Sequence, residues 1–395
     1  MKSFTRDYVM DKPIIIYGGT MYGEIAYKMI TLIYGGKVEA IIENRYSRLE
    51  WTECKIIRSS ELESLHEANV LVCAANSFEN ISREIERYTN NNVEAFDICE
   101  VLRDYRAVYL QDSGKITNSY LYGDLDVDEI VGRYEYYAGK NTEYGKNLYL
   151  SYCVLCITSR CSLKCRDCAA FIPKYKEKKD YSLAYVKENF GKILAAVDGI
   201  MELELMGGEP FLCAEFDEIL TWCIGQKKIR AIKIVTNGTI LPKAETWELL
   251  KHPKVKLVID DYGSVSYRLE DVVNKAQNEN VRYDKQNLQS WYRLEPIVRH
   301  GFKASQLEEI YKKCSFRTCI GLTNGRFYHC NAAGHMNSVG ILKDEDSDYI
   351  QIAGKNWSEE ELREELRTFL EKAYIKACDF CNLYKNEEIP VATQL

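Results

Sequence analysis

The stretch Cys161-Ser162-Leu163-Lys164-Cys165-Arg166-Asp167-Cys168 carries three cysteines with the spacing C-x3-C-x2-C. It follows the apolar segment 148–157, which predicts a buried strand. Three thiolates on one loop can converge on one metal centre, and soft thiolate ligands select zinc, copper(I) or iron–sulfur clusters. A structural zinc site is normally closed by four ligands, so three leave one coordination position open for chemistry. A zinc site at this loop would need a distant fourth ligand.

Further motifs follow the next predicted strands. Apolar stretches at 199–205, 231–235 and 255–259 alternate with helical stretches, which predicts a parallel β/α domain of barrel type. In such barrels the chemistry lies on loops after the carboxyl ends of the strands. Those loops carry Gly207-Gly208-Glu209-Pro210, Thr236-Asn237-Gly238-Thr239 and Asp260-Asp261-Tyr262-Gly263. Two glycines let backbone approach a ligand closely, and a carboxylate beside them can bind an ammonium group. Each motif taken alone is also compatible with a simple turn.

The cysteine triplet and the Gly-Gly-Glu-Pro stretch together resemble the radical S-adenosylmethionine (radical SAM) superfamily. This resemblance implies a partial (β/α)6 barrel and a [4Fe-4S] cluster held by Cys161, Cys165 and Cys168, with S-adenosylmethionine on the fourth iron. It also implies cofactor contacts from Gly207, Gly208, Glu209 and Pro210, and from Thr236 and Asn237. The residue before the last cysteine is usually aromatic in the family and packs near the adenine. Here it is Asp167, so that contact is either lost or supplied elsewhere.

A second set of cysteines lies downstream. Cys314, Cys319 and Cys330 flank Asn324-Gly325, and a C-x2-C pair, Cys378 and Cys381, follows a charged helical stretch at 358–377. Asn-Gly between apolar flanks predicts a type I′ hairpin. Pairing outward from that turn sets Cys319 opposite Cys330, with Cβ atoms ~5 Å apart, where a metal can be held.

This second set resembles the SPASM or shortened Twitch extension of radical SAM enzymes. The resemblance implies one auxiliary [4Fe-4S] cluster on Cys314, Cys330, Cys378 and Cys381, with Cys319 as the alternative ligand. A structural zinc site needs the same tetrahedral thiolates and stays open as an alternative.

The first hundred residues form a different pattern. A strand at 14–17 leads into Gly18-Gly19-Thr20-Met21-Tyr22-Gly23 and a helical stretch at 24–30, and three more strands are predicted near 38–43, 70–74 and 93–96. The turn resembles the Rossmann fingerprint, with Glu43 placed as the ribose-binding acid. Thr20 replaces the middle glycine, which puts dinucleotide binding in doubt. We therefore predict either a nucleotide or nucleotide-sugar site at Gly18, Gly19, Gly23 and Glu43, or a turn that only joins strand to helix.

The predicted organisation is α/β throughout. It comprises a Rossmann-like parallel sheet at 1–105, a linker at 106–146, a radical SAM partial barrel at 147–300 and an auxiliary cluster domain of hairpin and helix at 301–395. A chain of 395 residues fits several domains, since single cores stop growing near ~250–300 residues.

The composition indicates which classes of partner the chain can bind. With 52 Lys+Arg against 59 Asp+Glu, the net charge of −7 argues against non-specific binding of phosphate backbones, so no nucleic-acid partner is expected. No run approaches the ~18 apolar residues of a membrane span, and the first residues lack a signal-peptide core. We expect a cytoplasmic protein without a membrane partner. Its 15 cysteines then indicate metal or redox chemistry rather than disulfides.

The family resemblance implies an enzyme that cleaves S-adenosylmethionine to a 5′-deoxyadenosyl radical, served by a flavodoxin- or ferredoxin-type electron donor. The hairpin segment 319–330 looks most like members associated with carbohydrate biosynthesis, which favours a sugar or nucleotide-sugar that undergoes epimerisation, dehydrogenation or dehydration. The alternatives are a peptide-modifying enzyme and a non-enzymatic zinc or iron–sulfur redox sensor. Cys213, just beyond the Gly-Gly-Glu-Pro stretch, is a candidate hydrogen-atom donor.

Overall fold

The computed structural model describes residues 4, 10–44, 48–64, 67–88, 93–111, 127–139 and 147–395. The chain divides into two compact units, 1–147 and 148–395. Within these described ranges, no helix is both long and apolar enough to cross a membrane.

The first unit is built on a five-stranded parallel sheet with the order β3-β2-β1-β4-β5. Its strands are β1 Ile14–Tyr17, β2 Val38–Ile42, β3 Lys55–Ile57, β4 Ala68–Val72 and β5 Val93–Asp97. Its helices are α1 Met21–Lys28, α2 Phe78–Tyr88, α3 Cys99–Gln111 and α4 Val127–Tyr137, and a π-helical segment Met29–Ile33 continues α1. The central strand β1 is a run of isoleucines because both faces of a parallel sheet are covered. This sheet confirms the Rossmann-like fold, and β3 is the strand that the sequence did not predict.

The segment expected to be a linker, 106–146, differs from that expectation. It contains the end of α3 and the whole of α4, where Ile130 and Tyr134 are fully buried. The Tyr134 hydroxyl donates to Asp97 at 3.1 Å, at the end of β5. The helix was missed because tyrosine is ambiguous between surface and core in a sequence: the ring of Tyr134 is buried, whereas Tyr136 and Tyr137 are exposed. Residues 112–126 and 140–146 of the expected linker lie outside the described residues.

The second unit is built on one larger sheet with the order β11-β10-β9-β8-β7-β13-β14-β15, and β6 pairs with β8. Its strands are β6 Tyr149–Leu150, β7 Cys153–Thr158, β8 Gly199–Gly207, β9 Ile229–Thr236, β10 Val255–Asp261, β11 Tyr283–Asn287, β12 Ser290–Tyr292, β13 Gly321–Thr323, β14 Arg326–Tyr328, β15 Tyr349–Gln351 and β16 Glu388–Pro390. β7 to β11 are mutually parallel. The single strand predicted at 148–157 is therefore two strands, β6 and β7.

Helices alternate with the parallel strands, as a partial barrel requires. They are α5 Leu183–Ala196, α6 Phe216–Ile224, α7 Ala244–Leu250 and α8 Leu269–Asn278, and three more follow at α9 Ala304–Lys313, α10 Asn331–Ser338 and α11 Glu359–Leu370. Short 3-10 turns occur at Ser59–Ser64, Ala75–Ser77, Ile172–Lys174, Pro210–Leu212, Gly263–Val265, Asp344–Asp346, Lys376–Asp379 and Leu383–Lys385. On β8, Leu203 and Leu205 belong to the main core with Phe190 of α5. The alternate residue Glu204 instead pairs with Lys233 of β9 at 2.6 Å, so the other side of β8 carries a charged pair at this point.

The predicted hairpin is present. Asn324 and Gly325 have φ of 51° and 76°, as a type I′ turn requires, and Thr323 pairs with Arg326. Extending this register along both strands sets Cys319 opposite Cys330. β13 also pairs in parallel with β7. The predicted boundary at residue 300 therefore does not separate two sheets, because the hairpin is part of the barrel sheet.

Candidate metal centre

The cysteine loop lies directly after β7. Cys165 is buried, and Cys161 and Cys168 are half-buried. All three pack against a small apolar cluster that contains Leu163 and Ala392. The loop therefore forms a pocket of thiols with low solvent access beside the barrel.

The thiol sulfurs receive N–H donors from several segments. Cys161 Sγ accepts from the backbone N–H of Leu163 at 3.4 Å and from Asn237 Nδ2 at 3.5 Å, and Cys165 Sγ accepts from Gln394 Nε2 at 3.2 Å. N–H donors that point at a sulfur stabilise negative charge on that sulfur. The cysteine ligands of an iron–sulfur cluster are thiolates and carry such a charge.

The electrostatics of the loop also fit a metal. Burial raises the pKa of Cys161 to about 11, and Glu209, Cys168 and Cys165 raise it further. Burial likewise raises the pKa of Cys165 and of Cys168. Ionising these neighbouring buried thiols without a metal would cost free energy, because each negative charge opposes the ionisation of the next thiol. A cationic metal centre reverses that cost, because its ligands bind in the deprotonated form.

The Gly-Gly-Glu-Pro turn is pressed against this loop. A Cβ on Gly207 would lie 2.0 Å from Thr158 O, and one on Gly208 would lie 2.1 Å from Arg160 O. The backbone N–H of Gly208 donates to Thr158 O at 3.1 Å, and that of Glu209 donates to Arg160 O at 2.8 Å. The glycines are therefore required first by the backbone of the cysteine loop, a reason that the sequence alone did not provide.

Glu209 joins two of the predicted cofactor motifs. Its side chain is fully buried, and its carboxylate accepts from Thr236 Oγ1 at 2.9 Å, from the Asn237 backbone N–H at 3.0 Å and from the Phe211 backbone N–H at 3.3 Å. Burial raises the pKa of Glu209 to about 7, although these donors oppose the shift. A buried carboxyl with so high a pKa is suited to a cationic partner.

Asn237 extends the network back to the cysteine loop. Its Nδ2 donates to Ser162 Oγ at 3.2 Å, and its Oδ1 accepts from the Thr239 backbone N–H at 3.0 Å. Gly238 lies between them with φ of 69°, a conformation that favours glycine. Ser162 and Thr239 are thus site residues that the sequence analysis missed, although both lie inside motifs that it singled out.

Asp260, whose role the sequence left open, lies beside this network. It is buried, and its Oδ2 accepts from the Tyr262 hydroxyl at 2.8 Å. Its Oδ1 is buried without a hydrogen-bond partner among the described residues. Burial raises the pKa of Asp260 to about 7. The carboxyl end of β10 therefore presents, among the described residues, one acceptor without a partner within electrostatic range of Glu209.

The aromatic contact missing at Asp167 has a counterpart from other elements. Tyr262 and Trp291 form an edge-to-face pair with ring centroids 5.4 Å apart, and both pack on the apolar cluster of the cysteine loop. Asp167 itself pairs with Arg293 at 3.6 Å. Aromatic surface beside the loop is therefore supplied by β12 and the loop after β10.

Cys213, the candidate hydrogen-atom donor, is buried in the main core. Its thiol donates to Ile157 O at 3.5 Å, and burial raises its pKa to about 12. Its role as a donor stays a prediction.

The second set of cysteines surrounds one cavity of about 430 Å³. Its lining includes Cys314, Cys330, Cys378 and Cys381, but not Cys319. Burial raises the pKa of Cys378 to about 12 and that of Cys381 to about 11, and Cys314 adds to both shifts. Burial raises the pKa of Cys319 to about 12; Glu204 raises it further, Lys233 lowers it, and Cys314 also raises it.

No group of three or more His, Cys, Asp or Glu side chains, within the described ranges, is close enough to hold a single metal ion. A four-iron cluster requires wider spacing of its ligands, because each thiolate binds a different iron.

The glycine turn of the first unit has its own arrangement. Gly18 has φ of 114°, and a Cβ on Gly23 would lie 1.9 Å from Gly18 O, so both positions require glycine. The backbone N–H of Gly19 donates to Glu43 Oε2 at 3.1 Å, and Glu43 is buried. The four predicted residues therefore lie together, with Glu43 bound to the turn itself.

Comparison with known proteins gives relatives over part of the chain. No family model matches. A GTP 3′,8-cyclase of Synechocystis sp. is 35% identical over 88 residues, which are 22% of this chain and 26% of that protein. A GTP 3′,8-cyclase of Lactiplantibacillus plantarum is 25% identical over 292 residues, which are 62% of this chain and 82% of that protein. The chain spans only 26% and 31% of the length of the first two cyclases that it matches.

Two solved structures show weaker likeness. BtrN in complex with AdoMet and 2-DOIA has a TM-score of 0.38 and 17% identity, over 63% of this chain and 99% of that one. Streptococcus suis SuiB bound to the precursor peptide SuiA has a TM-score of 0.30 and 16% identity, over 48% of this chain and 49% of that one. Likeness at this level does not support a statement about function.

The chain is thus similar in sequence to the GTP 3′,8-cyclases, and its cysteine triplet and the Gly-Gly-Glu-Pro turn beside it resemble the motifs of the radical S-adenosylmethionine superfamily.

Proposed function

We propose that this protein reductively cleaves S-adenosylmethionine and uses the resulting radical to remove a hydrogen atom from an unactivated carbon. The observation that carries the proposal is the convergence of three thiols, donors to two of their sulfurs and the buried carboxyl of Glu209 at one barrel mouth. A [4Fe-4S] cluster on Cys161, Cys165 and Cys168 supplies, when bound, the electron that splits S-adenosylmethionine into methionine and a 5′-deoxyadenosyl radical.

The chain's own residues bind and orient the cofactor. Glu209 offers a carboxylate to an ammonium group, a charge-assisted contact that is stronger than a neutral hydrogen bond. Thr236 and Asn237 hold that carboxylate in place from the neighbouring strand. Asp260 provides a further acceptor for a hydroxyl or amine donor.

The test is anaerobic reconstitution followed by assays for iron and 5′-deoxyadenosine. The variant with Cys161→Ala, Cys165→Ala and Cys168→Ala should lose cleavage entirely and about half of the iron, because the second cysteine set keeps its own share. Stoichiometric zinc without iron-based absorption in the unaltered protein would contradict the proposal and support a zinc-bearing sensor.

The second cysteine set is proposed to bind an auxiliary [4Fe-4S] cluster. The shared cavity supports Cys314, Cys330, Cys378 and Cys381 as its ligands, and the position of Cys319 outside that lining leaves it as the spare. Four thiolates would fill every iron position, so this cluster would transfer electrons rather than bind a substrate. Metal analysis of the triple variant above distinguishes iron from zinc at this set.

The substrate is proposed to be a carbohydrate or nucleotide-sugar. Relatives named for a reaction of GTP fit a nucleotide-bearing substrate, and the Gly18 turn has the strand-turn-helix geometry that aims N–H groups at an anion. Because Glu43 already accepts from Gly19, a phosphate would have to use the other N–H groups of the turn.

Calorimetry on the full chain tests this assignment with a panel of nucleoside diphosphates, nucleotide-sugars and unmodified peptides. We expect a nucleotide or nucleotide-sugar to give a heat of binding. Gly18→Val should abolish that heat and leave the iron content and the circular dichroism unchanged. Binding of a peptide and none of the nucleotides would replace the sugar proposal with peptide modification.

A further inference from the structure

The segment 391–395 lies along the cysteine loop as a short antiparallel partner. Cys165 and Gln394 form an isolated antiparallel bridge. The backbone N–H of Arg166 donates to Thr393 O at 2.8 Å, and that of Leu395 donates to Lys164 O at 2.9 Å. Upstream, β16 pairs with β12, which fixes the approach of the segment to the loop.

The Gln394 side chain is oriented by these partners. Its Oε1 accepts from the Lys164 backbone N–H at 2.8 Å, while its Nε2 donates to Ala392 O at 2.7 Å and to Cys165 Sγ at 3.2 Å. A backbone N–H can only donate and a backbone carbonyl can only accept. The two contacts therefore fix which end of the amide faces the sulfur, a choice that is otherwise ambiguous for glutamine.

The backbone beside Gln394 is held in an unfavourable conformation. Ala392 has φ of 46°, a left-handed value that is unfavourable for a residue other than glycine. Its side chain is fully buried against Leu163 and Cys165. Strain of this kind persists only where the surrounding packing demands it, and it clusters at functional sites. The segment is thus held to the loop tightly enough to offset the strain.

We propose that Gln394 is a positioning residue that raises the reduction potential of the cluster on Cys161, Cys165 and Cys168. This inference rests on the proposed function, because it requires a cluster at that loop. Reduction adds negative charge that is shared by the cluster sulfurs and their thiolate ligands. A donor to Cys165 Sγ stabilises the reduced form more than the oxidised form, and hydrogen bonds to sulfur are among the factors that set such potentials. Removing the donor should therefore make the cluster harder to reduce.

The test is an anaerobic redox titration of the reconstituted full chain, followed by electron paramagnetic resonance. The signal of the cluster with an open iron is identified because it changes when S-adenosylmethionine is added. Gln394→Leu should shift its midpoint to a more negative potential. Gln394→Glu should shift it further, because a carboxylate cannot donate to the sulfur and brings negative charge beside it.

The matched control is Gln277→Leu, which removes an exposed amide that donates only to Tyr283 among the described residues. It should leave the midpoint unchanged. Equal midpoints in the unaltered protein and both Gln394 variants, with normal iron content, would overturn the inference and leave the proposed function intact. A spectrum that does not respond to S-adenosylmethionine in the unaltered protein would instead count against the proposed function, and with it this inference.

Discussion

Replacement of Glu209 by glutamine tests the cofactor site most directly. The change keeps the size of the side chain and one carbonyl oxygen, but it removes the charge that is proposed to bind the ammonium group. A hydrogen bond to a charged group contributes about 1.5–3 kcal/mol, and each 1.4 kcal/mol is a factor of ten in affinity. We therefore expect Glu209→Gln to weaken S-adenosylmethionine binding by roughly 10- to 150-fold.

The same substitution also affects stability, because the amide replaces an acceptor at a crowded point. The carboxylate accepts from Thr236 and from two backbone N–H groups, and a glutamine Nε2 cannot accept from any of them. Each buried donor left without a partner costs about 1–3 kcal/mol. Some loss of thermal stability is therefore expected and must be measured beside binding.

The assay is anaerobic calorimetry with S-adenosylmethionine at fixed pH, on protein of verified iron content and circular dichroism. Glu218→Gln is the matched control, since Glu218 is exposed in the first turn of α6 and lies outside the network around Glu209. It should bind S-adenosylmethionine as the unaltered protein does. Unchanged affinity in a folded, iron-replete Glu209→Gln protein would refute the ammonium contact.

Three further outcomes are expected. Because burial raises the pKa of Glu209 to about 7, its carboxylate fraction grows as pH rises, so S-adenosylmethionine affinity should increase roughly tenfold from pH 6 to 8; a flat profile in calorimetry would contradict this. Gly208→Ala should destabilise the protein by about 1–3 kcal/mol in denaturant titrations and lower its iron content, since the new Cβ would meet Arg160 O. The control Gly191→Ala in α5, where a Cβ would meet nothing within 4 Å, should instead stabilise the protein by about 0.5–1 kcal/mol. Cys330→Ala should remove about half of the iron and Cys319→Ala little, and the reverse order in metal analysis would exchange the two as ligands.

Much of the fold could be predicted from local pattern. The isoleucine run of β1 was predicted because a parallel strand buried on both faces forms a continuous apolar run. The glycine turn after it was predicted from its residues, and β8 to β10 from apolar residues that recur along each strand between polar ones. The Asn324-Gly325 turn was predicted together with its register, since two positive φ values in succession select those residues. The cysteine motifs could be singled out because the three proposed ligands of the loop are close together in sequence.

The remaining features depend on contacts that sequence spacing does not encode. Gln394 reaches Cys165 from 229 residues away, and nothing in its neighbours marks it as a site residue. The tight approach of Gly208 to Arg160 O arises only when two strands lie side by side. The helix Val127–Tyr137 was missed because tyrosine is ambiguous between surface and core until its hydroxyl partner is known.

The pairing of β13 with β7 has a consequence for how this protein can be divided. A truncation before the hairpin would leave the backbone of β7 without its neighbour on one side, and an open strand edge is a template for association with other chains. A barrel expressed without residues 301–395 should therefore aggregate rather than fold as an independent enzyme. Transplanting the extension onto another barrel would require a matching edge and a glycine at the position of Gly321, where a Cβ would lie 2.2 Å from Val154 O. Residues 301–395 and the barrel should therefore fold together as one unit, and a change on one side of that edge should constrain the other side.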